Sequence, residues 1–301
     1  MFIAGIDGGG TSTRLEIRDA DNSFIRRESF GAFNISAIGA DAFSARLDEV
    51  FAACGDMSGC AALCIGAAGL SLPQTERIIH RQLELAHFRG VLRLCGDHEI
   101  ALRGAMDGAG CVLIAGTGSI CFGVNSNGVS ARCGGYGHIL DDAGSGYAIG
   151  RDALREAVRS ADGRSEPSAL SRAVLGRFPQ GIGELIEYVY SKAGKADIAS
   201  FAETVIECAA AGDETSLEIL RREARELREL VQALSRRLGM ARPRTALLGG
   251  LLASDNVYSG IVRCELESTA EIVPPAHDAL WGAAQMAYEQ TKMRIIEEAP
   301  D

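Results

Sequence analysis

The residues of this chain that could do chemistry stand at the ends of apolar runs. In "FIAGIDGGGTSTRLEI", Phe2 to Ile17, an apolar run reaches Asp7, passes Gly8, Gly9 and Gly10, and crosses Thr11, Ser12 and Thr13 into a second apolar run. Glycines let backbone N–H groups approach a phosphate closely, and the threonine hydroxyls can donate to it. Asp7 can reach Mg2+ through water, because Mg2+ keeps much of its hydration shell. Two other phosphate loops begin in a similar way, and both fail here. Thr11 stands where a P-loop requires lysine. Thr13 stands where the dinucleotide fingerprint requires its third glycine, and "TRLEIRD" reads as a strand rather than a helix.

A second turn of the same kind lies in "IAGTGS", at Gly116 and Thr117. "TALLGGLLA" (Thr245–Ala253) adds a strand that closes on Gly249 and Gly250, leaving room for a flat ring. Two phosphate turns and a glycine-lined pocket describe an actin-like ATPase that takes ATP. Asp97 follows Gly96 at the end of an apolar run. A carboxylate there can take the proton of a hydroxyl nucleophile, or it can cap the helix of "HEIALRG"; the residue types alone leave both open.

The elements that would position these residues come in two rounds. Residues 2–30 read as three strands joined by the glycine turn and by "DADN". A helix over Asp41–Cys54, a strand over Ala61–Gly66, a helix over Gln74–Ala86, a strand over Val91–Cys95 and a helix over Glu99–Met106 follow. Gly110–Ala115, Ile120–Val124 and Val129–Arg132 then repeat the three-strand pattern, with "NSNG" as the second turn. Beyond a loop at Gly134–Ser145 the chain is mostly helical, with a strand at Thr245–Leu248 and a last helix over Asp278–Lys292. The expected division is a first domain over 1–107 and a larger second one over 108–301, whose last helix, about 278–292, packs back on the first.

Composition narrows the partners. The 301 residues carry a net charge of −10, which argues against nucleic acid and anionic membranes. No apolar run is long enough to span a bilayer, and no leader pattern opens the chain. Lysines occur only at 192, 195 and 292. The nine cysteines are odd in number, lack C-x-x-C spacing and lie mostly in apolar runs, which reads as buried free thiols in a cytoplasmic protein. Cys111, Cys121 and Cys133 share one region, but their spacing matches no zinc signature.

"GIDGGGTST", "FNIS" (Phe33–Ser36), "GD" (Gly96–Asp97), "AGTGSI", "CGGYGHILDDAGSGYAIG" (Cys133–Gly150), "AAAGDE", "LLGGLLAS" and "PPAHDALWGAA" occur in one order along almost the whole chain. In these the sequence resembles the N-acetylglucosamine kinase branch of the BadF/BcrA-type ATPases, within the actin–hexokinase superfamily. The resemblance implies an α/β fold of two actin-like (ribonuclease H-like) domains. Each would be a mixed five-stranded sheet with flanking helices, with ATP in the cleft between them. It implies transfer of the γ-phosphoryl group to the 6-hydroxyl of an amino sugar, with Asp97 as general base. Thr11 and Thr117 match residues that touch ATP phosphates. Gly249, Gly250 and Leu251 match the adenosine segment, and Ala209 lies near the adenine. Asn34, Ser119, Ile120, Gly135, Tyr136, Gly137 and Asp142 match the sugar contacts, together with Asp97. The family is commonly dimeric, so a homodimer is expected.

The chain departs from the family inside its most specific block. Asp141 replaces a glycine, Ala143 a glutamate, and Ile120 stands where the animal kinase has asparagine. These positions leave glucosamine, N-acetylglucosamine, N-acetylmuramate or another hexosamine open, and an extra acid at Asp141 disfavours a lactyl carboxylate unless it points away. Two other readings compete. One is an ATPase activator of a 2-hydroxyacyl-CoA dehydratase or benzoyl-CoA reductase, which would need cysteines for a shared [4Fe-4S] cluster. The other is a sugar sensor without turnover.

Overall fold

The computed structural model describes residues 1–70 and 72–297. The chain divides into two compact units, Met1–Asp107 with the residues from Pro275 onward, and Gly108–Pro274.

The first unit opens on the meander β1 (Phe2–Gly8), β2 (Thr13–Asp19) and β3 (Phe24–Phe30). A four-residue helix α1 (Ile35–Ile38), then α2 (Ala40–Cys54), lead to β4 (Cys60–Ala67), α3 (Pro73–Leu85), β5 (Val91–Cys95) and α4 (Asp97–Ala105). The sheet order is β3-β2-β1-β4-β5. β1 is antiparallel to β2 and parallel to β4, so the meander and the crossover strands meet at β1. That central strand is apolar and buried along most of its length, whereas the edge strand β3 is largely exposed and carries Arg26, Arg27 and Glu28. On α2 the helical spacing of Phe43, Leu47, Val50 and Phe51 buries one face against this sheet. Each such side chain contributes about 1.5–3 kcal/mol when fully buried.

The second unit repeats the plan. β6 (Gly110–Ala115), β7 (Ser119–Val124) and β8 (Ser130–Gly134) form its meander. A helical block follows: α5 (Gly146–Ala161), α6 (Ala169–Leu175), α7 (Ile182–Glu187), α8 (Lys195–Ala199), α9 (Phe201–Ala210) and α10 (Glu214–Leu238). β9 (Arg244–Leu248), α11 (Gly250–Ala253), α12 (Val257–Leu266) and β10 (Glu271–Val273) complete it. The order β10-β9-β6-β7-β8 mirrors the first sheet, again with β6 antiparallel to β7 and parallel to β9. Two mixed five-stranded sheets with flanking helices are therefore present, as expected. β10 and α12 were not legible in the sequence; β10 is only three residues long, yet it is the topological counterpart of β5. Ser200 separates α8 from α9.

The last helix, α13 (Ala279–Glu297), packs in the first unit. Its backbone lies directly on β1 and α4. A Cβ on Gly5 would sit 2.3 Å from the Ala284 nitrogen, and one on Gly282 would sit 2.0 Å from the Ile100 oxygen. Glycine at these positions is a condition of that contact, which holds α4 and its first residue, Asp97, against the sheet. Among the described residues no helix is long and apolar enough to cross a membrane.

Candidate functional site

In the first unit, the glycine turn joins β1 to β2. Gly8 pairs with Thr13 in the ladder, and the Gly9 N–H donates to the Ser12 carbonyl at 2.8 Å. Gly10, Thr11 and Ser12 are exposed. The glycines have different reasons to be there. A Cβ on Gly8 would lie 2.4 Å from the Phe33 ring, so packing demands glycine, whereas a Cβ on Gly10 would meet nothing within 4 Å. The space over Gly10 is not needed by the fold and is open to a ligand. The Phe33 N–H donates to the Gly9 carbonyl at 3.0 Å, which brings the next residue, Asn34, beside the turn. The Asn34 amide oxygen lies 3.7 Å from where a Cβ on Gly69 would stand, after β4.

Thr13 corrects an expectation. It is fully buried, and its hydroxyl donates to the Gly31 carbonyl at 2.6 Å, so that donor is spent inside the unit rather than on a phosphate. The inward position follows from the strand alternation that starts at Thr13. Asp7 stands at the end of β1 and accepts from the Arg14 guanidinium through Oδ2 at 2.5 Å. Burial pushes its carboxyl up, Arg14 pulls it back, and the charges of Asp97 and Asp278 add to the rise. Asp97 and Asp7 thus share one electrostatic neighbourhood.

Asp97 is the first residue of α4, not the end of β5 as the sequence suggested. The helix cap falls to its neighbours: Gly96 is the cap residue, and its N–H is satisfied by Glu99 Oε1 at 3.0 Å. Asp97 Oδ1 accepts from the His98 N–H at 2.9 Å, and the side chain remains 49% exposed. The Gly96 N–H thus does not depend on Asp97, whose Oδ1 also lies 3.4 Å from the His98 ring Nδ1.

In the second unit, the ends of β6 and β9 meet. Gly249 has φ +88°, and a Cβ there would lie 2.3 Å from the Ala115 oxygen; one on Gly116 would lie 4.0 Å from the Gly250 nitrogen. Gly116, Gly249 and Gly250 are thus brought together, with Thr117 and Gly250 exposed and Leu251 half-buried. The turn is tied to the start of α5 by the Gly146 N–H, which donates to the Gly116 carbonyl at 2.8 Å. Ala209 is buried with Ala202 and Val205 on the core stripe of α9.

The block expected to hold the sugar is partly committed to its own loop. Ser119 is buried and its hydroxyl donates to the Ala143 carbonyl at 2.6 Å, so its one donor is spent within the loop. Gly135 rests on Ile120, whose Cδ1 would be 2.8 Å from a Cβ there. Gly135 and Gly137 both take positive φ, +73° and +89°. Tyr136 is exposed, with the Arg132 guanidinium 4.8 Å from its ring centroid. Asp142, at φ +58°, is 3% exposed and pairs with Lys195 at 2.7 Å. Asp141 lies beside Gly134, its Oδ2 3.5 Å from where a Cβ would stand.

Comparison with known proteins covers almost the whole chain. The family model of the BadF/BadG/BcrA/BcrD ATPases matches residues 4–287. The chain belongs to that family. Similar curated proteins include an N-acetylmuramic acid/N-acetylglucosamine kinase of Clostridium acetobutylicum, 33% identical over 95% of this chain and 98% of the relative. An N-acetyl-D-glucosamine kinase of Dictyostelium discoideum is 28% identical over 97% of this chain and 99% of its own. Among solved structures, a candidate N-acetylglucosamine kinase of Chromobacterium violaceum superposes with a TM-score of 0.78 at 26% identity, covering 95% of this chain and 98% of that one.

Within this BadF/BadG/BcrA/BcrD-type chain, several partners of the site were missed by sequence reasoning. Arg14 bridges Asp7 and Asp278, the latter at 3.4 Å, and Asp278 in turn holds the Trp281 N–H at the start of α13. Glu223 and Tyr258 clamp Gly144: the Gly144 N–H donates to Glu223 at 2.7 Å, and the Tyr258 hydroxyl donates to its carbonyl at 2.7 Å. Lys195 was visible only as one of three lysines. The cysteines are free: seven are buried, Cys208 is half-buried and Cys264 is exposed. Burial pushes the thiols of Cys54, Cys60 and Cys111 up to about 12.

Proposed function

We propose that this chain is an ATP-dependent hexosamine kinase that phosphorylates the 6-hydroxyl of N-acetylglucosamine or glucosamine. The carrying observation is Asp97: a half-exposed carboxylate at a helix start, relieved of capping by Glu99, in the same unit as Asp7, the open Gly10 turn and Asn34. A sugar hydroxyl is a weak nucleophile at neutral pH. As its oxygen bonds to the γ-phosphorus and the bond to the ADP oxygen breaks, Asp97 takes the hydroxyl proton. Asn34 supplies an amide suited to sugar hydroxyls. Thr11, Thr117 and the bare backbone of Gly10 and Gly116 receive the phosphates, and Gly249, Gly250 and Leu251 border the adenosine.

Asp7 fits a hydrated Mg2+. Arg14 holds the Asp7 carboxylate through Oδ2, which fits an ion bound by one protein carboxylate, waters and substrate phosphates. When bound, the ion would offset phosphate charge in the transition state. The kinase names of the Clostridium and Dictyostelium relatives support the amino-sugar class.

The test is a coupled ADP assay with glucosamine, N-acetylglucosamine, N-acetylmuramate and glucose, followed by phosphorus NMR of the product. ADP release should depend on a hexosamine, and the phosphorus should couple to the C6 protons. Equal ADP release with and without sugar would overturn the reading, as would silence with every hexosamine.

A further inference from the structure

Lys195 lies against the second glycine turn. It opens α8, and its Nζ donates to Asp142 Oδ2 at 2.7 Å. The other oxygen of Asp142 accepts from the Ser119 backbone N–H at 3.4 Å. A Cβ on Gly118 would stand 3.0 Å from both Asp142 Oδ2 and Lys195 Nζ. The ion pair therefore sits directly on the turn that carries the exposed Thr117, and Gly118 is glycine because the pair occupies the space of a side chain.

The two partners differ in exposure. The Asp142 side chain is 4% exposed and that of Lys195 is 34%. A buried carboxylate under a turn that receives a polyphosphate is repulsive unless a cation lies between them. An ammonium carries three N–H donors. One is taken by Asp142, and a third of the Lys195 side chain faces solvent. P-loop proteins place a lysine at the phosphates through sequence position; here Thr11 stands at that position, and the cation arrives from a helix 78 residues beyond Thr117 (195 − 117).

We propose that Lys195 is a phosphate-binding residue of this site: its ammonium holds Asp142 and donates its remaining N–H groups to the phosphate chain of the nucleotide on the Gly116–Ser119 turn. This rests on the reading of that turn as a nucleotide site. It goes beyond that reading by assigning the cation.

Calorimetric titration with ATP, ADP and adenosine, without sugar, tests it on the full chain. Lys195→Gln should weaken ATP and ADP by about tenfold or more, the loss of one charge-assisted hydrogen bond, and leave adenosine unchanged. Asp142→Asn removes a negative charge from the same place while keeping an acceptor, so it should tighten ATP and ADP. Opposite signs for the two variants support a phosphate contact. Equal weakening by both, or weakening of adenosine together with ATP by Lys195→Gln, would mean that the pair only braces the turn and would overturn the proposal. So would unchanged ATP binding by a folded Lys195→Gln protein. Should Lys195→Gln fail to fold, Asp142→Asn decides by its sign alone. Wild-type protein that binds no ATP would instead overturn the nucleotide reading itself.

Discussion

Replacing Asp97 by asparagine separates the two roles that the sequence left open. Asparagine keeps the size of the side chain and an oxygen for the His98 N–H, now 2.9 Å from Asp97 Oδ1. It removes only the charge and the proton acceptor. Capping is untouched, because Glu99 satisfies the Gly96 N–H. The side chain is 49% exposed, so the stability change should stay within about 0.5 kcal/mol, a shift in Tm of about 1–2 °C. Loss of a general base costs about 10²–10⁴ in rate, or about 3–5 kcal/mol of activation free energy. The variant should therefore melt like the wild type, bind ATP like the wild type, and show kcat reduced by at least about a hundredfold in the coupled ADP assay. The charge of Asp97 also raises the Asp7 carboxyl, so ATP binding should not suffer. A kcat within tenfold of wild type would refute Asp97 as the base. Lost stability together with lost activity would refute the argument that its charge is free of structural duty.

Three further outcomes follow from particular contacts. Gly8→Ala places a methyl carbon 2.4 Å from the Phe33 ring and should lower Tm by about 2–12 °C, whereas Gly10→Ala meets nothing and should leave Tm unchanged while weakening ATP; equal Tm values for both would contradict the packing account. Burial pushes the Glu223 carboxyl above its ordinary value of 4.5, so the folded protein holds that proton more tightly than the unfolded chain, and this residue's contribution declines as pH rises from 4.5 through the raised value. Glu223→Gln should remove that decline in urea-unfolding midpoints measured between pH 4 and 8, and parallel pH profiles would refute it. A thiol reagent should label Cys264 fast and Cys208 more slowly in native protein, with the seven buried thiols reacting only after denaturation; rapid native labelling of more than two would contradict their burial.

The legible parts of this protein are the ones whose cause is local. The alternation of residues 2–30, the stretch from Asp7 to Thr13, and the helical spacing of Phe43, Leu47, Val50 and Phe51 each carry their structure within a few residues. The absence of lysine at Thr11 was enough to dismiss the P-loop. The repeat of the meander also announced two sheets of one plan, although β10 was too short to show a period.

What only the tertiary structure decided is which of the chemically suitable groups are already used. Thr11 and Thr13 look alike in sequence, yet Thr11 is exposed and Thr13 donates to Gly31. Ala209, expected beside the adenine, lies on the core stripe of α9. Arg14 meets Asp278 across 264 residues, and Lys195 meets Asp142 across 53. A hydrogen-bond donor or a charge is spent on whatever the fold brings within about 3 Å, and that choice depends on strands and helices distant in the chain. Residue type and spacing determined what chemistry this protein carries; long-range packing determined which side chains remain free to perform it.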